Sequence, residues 1–126
     1  MRRPFLASLS LWFIIAGSFA IGCGKAPVPP TPLAVDQIAP ELQRVFAKAQ
    51  PQTRELIDEI ASEVQTNGYP AAFQAVQILS AVPGVTKEQQ FMTTRAMLTL
   101  NGLLQTAQAQ GDQNASAALK AYLRNK

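Results

Sequence analysis

Histidine is missing from all 126 residues, and there is one cysteine and one tryptophan. The first absence excludes imidazole acid–base catalysis, His-containing triads and imidazole metal sites. The second excludes an intrachain disulfide, so stability has to come from packing. No apolar/polar alternation of strand type occurs anywhere, whereas apolar residues recur at helical spacing from Asp36 onward.

What is present begins with charge followed by its absence. Arg2 and Arg3 precede a 17-residue stretch, Phe5 to Ile21, that carries no charge. As a helix this stretch would measure about 25 Å, short of a comfortable bilayer span. It is suited to entering a membrane but makes a poor permanent anchor. Ala20, Ile21 and Gly22 then lead directly to Cys23, with small side chains where an extended chain must fit a peptidase cleft.

This order resembles a bacterial lipoprotein signal peptide, with Ala20 where the family usually carries Leu. The resemblance implies cleavage before Cys23, a diacylglyceryl thioether on its sulfur and an N-acyl chain on its new amino group. It also implies that Cys23 is no free nucleophile, and that covalent lipid is the only cofactor-like group. Gly24 stands where Asp would favour inner-membrane retention. The implied location is therefore the outer membrane, facing the periplasm, in a cell with two membranes.

Cleavage would change the charge balance. Without Arg2 and Arg3, nine Lys and Arg face eight Asp and Glu. The basic pI of about 9.4 is then no indication of a nucleic-acid partner. Trp12 would also leave. Three units follow from this reading: a signal peptide over 1–22, an acylated cysteine with a tether over 23–35, and a helical domain over 36–126. The tether contains Pro27, Pro29, Pro30 and Pro32, which favour an extended polyproline conformation. It reads as a spacer reaching a few tens of ångströms at most, in preference to a proline-motif ligand.

The helical domain is expected to be all-α, a small antiparallel bundle or α-hairpin array of four to five helices. The first helix is placed at about 38–49, with Pro40 in its first turn. The second runs over 51–66 and stops at Asn67-Gly68. The third opens at Tyr69-Pro70 and ends before Pro83-Gly84. Thr86 with Gln89 reads as a capping box for a fourth helix over 87–109, in which Asn101-Gly102 marks a place for a kink or a split into two helices. A fifth occupies 113–124. The pairs around Gly68 and Gly111 are loosely similar to tetratricopeptide hairpins, but they lie 43 residues apart where that family has 34.

Glu55, Glu59 and Glu63 fall on one helix face, with Asp58 four residues after Arg54. They read as a solvated face with an Arg54–Asp58 pair, and less readily as a cation site or acid pair. No catalytic or metal-ligating set is assigned, and the expectation is that the chain is not an enzyme. The fourth helix is apolar on more than one side, so it must be central or meet another chain. Phe91, Met92, Met97, Leu100 and Leu104 are the candidate interaction surface. The functions left are an envelope adaptor or assembly factor with a protein partner, a self-associating structural lipoprotein forming homo-oligomers, and a small carboxylate enzyme, in that order.

Overall fold

The computed structural model describes residues 28–126. Arg2, Arg3, the apolar stretch, Ala20, Ile21, Gly22 and Cys23 lie outside the described residues. Within them the chain is all-helical, with α1 over Val35–Val45, α2 over Pro51–Gln65, α3 over Tyr69–Ser80, α4 over Lys87–Ala109 and α5 over Gln113–Arg124. Each helix packs against its sequence neighbours, and α4 also meets α1 while α3 also meets α5. Helices α3 and α4 therefore form the centre of the bundle. Helix α2 touches neither α4 nor α5, and both α1 and α3 bridge it to α4.

Helix α1 begins three residues before its expected start. The extended Ala34 accepts from the Gln37 amide at 2.9 Å and opens the helix there, which moves Pro40 from the first turn to the second. Pro40 costs one intrahelical hydrogen bond on an exposed face. The helix also ends at Val45, short of 49. Pro51 holds Gln50 extended, with ψ of 150°, and no helix runs through that conformation into the next. Phe46, just past the end, is buried in the core.

Two connections share one geometry. After α2 the Gly68 amide bonds the Glu63 carbonyl at 2.7 Å and the Asn67 amide bonds that of Val64 at 3.3 Å. After α4 the Asp112 amide bonds Ala107 at 3.0 Å and the Gly111 amide bonds Gln108 at 3.0 Å. Both are Schellman closures whose last residue serves as N-cap of the following helix. The left-handed residue of the first is Asn67, at φ 59°, and not its neighbour Gly68; in the second it is Gly111, at φ 91°.

The capping box of α4 is present: Gln89 N–H donates to the Thr86 hydroxyl at 3.1 Å, and Thr86 N–H donates to Gln89 Oε1 at 2.9 Å. Such a cap stabilises by about 1 kcal/mol. The same amide's Nε2 donates to the Val45 carbonyl at 3.1 Å, tying the start of α4 to the end of α1. Arg44 strengthens this junction by bonding Glu41 at 2.9 Å and Glu88 at 3.2 Å. The hydrogen bond that the guanidinium donates to Glu41, followed by the one it donates to Glu88, raises its pKa above the ordinary value.

Helix α4 is continuous through Asn101-Gly102. Gly102 is exposed, has no positive φ, and an added Cβ would meet no atom within 4 Å. Gly102→Ala should therefore stabilise the fold by about 0.8–1 kcal/mol, the difference in helix propensity. Urea denaturation measures it, and a lower midpoint would mean that α4 bends at this point.

Candidate functional site

Of the five residues expected to form an interaction surface, three are core. Met92, Leu100 and Leu104 are buried, together with Ala96, in an i, i+4 stripe. That stripe is consumed by the chain itself, because α4 has α1, α3 and α5 as neighbours. Met97 is half-buried at the edge of the core. Phe91 alone of the five stays exposed, at 38%, and Leu98, which the apolar pattern did not single out, joins it at 39%. They belong to an outer face on which Lys87, Phe91, Thr94, Leu98, Gly102 and Gln105 recur at three- and four-residue steps, all exposed. No carboxylate interrupts it, since the Glu88 side chain reaches toward Arg44 on α1.

A strap of extended chain borders this face. Arg95 Nε donates to the Thr31 carbonyl at 2.9 Å, and the Thr99 hydroxyl donates to the carbonyl of Leu33. The carbonyls flanking Pro32 have no helix of their own to bond, and α4 supplies their donors. The Leu33 side chain is buried in the core. The expected spacer thus ends at about Thr31 and not at residue 35. Two extended residues, at about 3.3 Å each, match four helical residues at about 1.5 Å, so the strap advances alongside α4 in the same direction. The chain accordingly enters from the end of α4 that carries Phe91. There the Arg95 guanidinium carbon lies 5.9 Å from the Phe91 ring centre. Val28 is 75% exposed.

Charge is sorted by helix. On α2, Arg54 stands against Glu55, Asp58, Glu59 and Glu63, a net of −3. From Lys87 to the last residue, Lys87, Arg95, Lys120, Arg124 and Lys126 stand against Glu88 and Asp112, a net of +3. Helix α3 has no charged residue. The expected Arg54–Asp58 pair is not formed: among the described residues the ion pairs are those of Arg44. Exposed side chains four residues apart gain too little to hold one geometry.

Two clefts accompany these faces. One, of about 510 Å³, lies between α1 and α2, with Phe46 and Ile57 in its floor and Arg54, Glu55 and Asp58 at its rim. The other, of about 400 Å³, runs between α3 and α5 beside Phe73, Ala118 and Tyr122. Glu55, Asp58 and Glu59 are exposed, and Glu63 is half-buried. Among the described residues no three Asp, Glu, Cys or His side chains are grouped to hold a metal ion. None of the helices described is long and apolar enough to cross a membrane.

No family model matches the chain, and no curated protein or solved structure matches it either.

Proposed function

We propose that this chain is a lipid-anchored protein of the bacterial cell envelope that holds a small helical interaction module close to the membrane, as an adaptor or assembly factor. The order of Arg2 and Arg3, an uncharged stretch over 5–21, Gly22 and Cys23 carries the reading. In it Cys23 bears the diacylglyceryl and N-acyl chains. With Gly24 next, the protein belongs to the outer membrane, facing the periplasm, where the cell has two membranes. A chain without histidine, whose carboxylates are spread over an exposed helix face, supports binding over catalysis. The α1–α2 cleft, apolar in its floor and acidic at its rim, is the contact offered to a protein partner.

The test is photo-crosslinking of the full-length protein in its membrane, with benzoylphenylalanine at Gln43 or Ser62, followed by mass spectrometry of the adduct. The expected product joins the chain to one identified envelope protein and disappears when Cys23 is not acylated. Adducts between copies of the chain alone would replace the adaptor with a self-associating structural lipoprotein.

A further inference from the structure

The strap fixes where the anchor leaves the domain, and this orients the bundle. Cys23 lies eight residues before Thr31, the first residue clamped to α4. In a polyproline conformation these residues reach about 25 Å. The tether leaves beside the outer face of α4, at its Phe91 end. Turning α2 to the bilayer would mean crossing two interaxial steps of about 8–10 Å each and passing round the helices' own radii. That path uses the whole tether.

Composition agrees with reach. The α4 face presents Phe91 and Leu98, with Lys87 and no carboxylate, and Val28 stands exposed on the incoming chain. Helix α5, which packs against α4, contributes Lys120 and Arg124. Apolar side chains accompanied by cations on the same helix and its neighbour suit the boundary between headgroups and acyl chains of an anionic bilayer, which attracts cations near its surface. The acidic helix α2 is separated from α4 by α1 and α3, and an anionic surface repels it.

We propose that the outer face of α4, through Lys87, Phe91 and Leu98, rests on the phospholipid surface and turns the acidic α2 edge with its cleft to the aqueous side. The proposal depends on the lipid anchor at Cys23. It makes the candidate surface on α4 a contact for lipid, while a protein partner meets the opposite edge.

Depth-dependent quenching tests it, using full-length acylated protein in vesicles of phosphatidylethanolamine and phosphatidylglycerol with brominated acyl chains. The processed chain has no tryptophan, so Phe91→Trp, Leu98→Trp and, on α2, Ser62→Trp each place a single reporter. Phe91→Trp and Leu98→Trp should be quenched several-fold more strongly than Ser62→Trp, at the depth of about 5–10 Å usual for interfacial helices. Using two α4 reporters guards against one substitution disturbing the face. Flotation of the unsubstituted protein, with the mass of an acylated Cys23, reports the anchor separately. Failure to float overturns the anchor and the orientation together. Flotation with equal quenching on both edges overturns the orientation alone. Reporters on α4 that are shielded from aqueous iodide but untouched by bromine would also overturn it, because a second copy of the chain would then occupy the face.

Discussion

Phe73→Ala is expected to cost about 3–5 kcal/mol, the range for removing a large aromatic side chain from a closed core. Phe73 is 1% exposed on α3, the helix that meets α2, α4 and α5. Its ring centre lies 5.3 Å from that of Tyr122, edge to face at 69°, and this pair joins α3 to the last helix. Truncation removes the ring's transfer energy, leaves a void adjoining the α3–α5 cleft, and forfeits the aromatic pair, itself about 0.5–1.5 kcal/mol. A domain of this size has about 5–15 kcal/mol in total. The melting temperature should therefore fall by about 15 °C or more, read by circular dichroism at 222 nm. Ile78→Ala, on the same helix at 55% exposure, should leave it nearly unchanged. A fall of only a few degrees for Phe73→Ala would mean that α3 is not the element on which the other helices depend.

The same helix shows which features were legible in the sequence. Apolar spacing placed Ala72, Phe73, Val76 and Leu79 on one stripe, and all four are buried. Local chemistry placed the boundaries of α2, α4 and α5 within a residue, because Pro51, the Thr86–Gln89 pair, Gly111 and Asp112 each act on their own few bonds. What was misread depends on contacts distant in sequence. Leu33 and Thr31 looked like spacer because their partners, Thr99 and Arg95, lie more than 60 residues away. Pro40 satisfied a first-turn preference, but the helix starts earlier, where Leu33 enters the core. On α4 the periodicity counted apolar residues without showing how many neighbours would cover them. Met92, Leu100 and Leu104 are consumed by three helices, and Leu98, separated from them by the turn of the helix, is left outside.

Cys23→Ser should abolish acylation and release the protein from the membrane while leaving the domain's melting temperature unchanged. Binding through lipid grows by about 0.8 kcal/mol per buried methylene, and one myristoyl-length chain holds a protein only marginally, whereas two or three hold it stably. The outer face of α4 offers two half-exposed apolar side chains, Phe91 and Leu98, far less buried hydrocarbon than the acyl chains it would replace. It can orient an anchored domain but cannot retain a free one. The melting temperature, by contrast, is expected to be independent of the cysteine. The strap is held from Thr31 onward by Arg95, Thr99 and the burial of Leu33, contacts that a change eight residues upstream leaves in place. The measurement pairs membrane fractionation and intact mass of the Cys23→Ser protein with its thermal melt. Retention in the membrane with an unaltered acylation pattern would remove the lipid-anchor reading. Release accompanied by a large loss of stability would place the cysteine's role in folding.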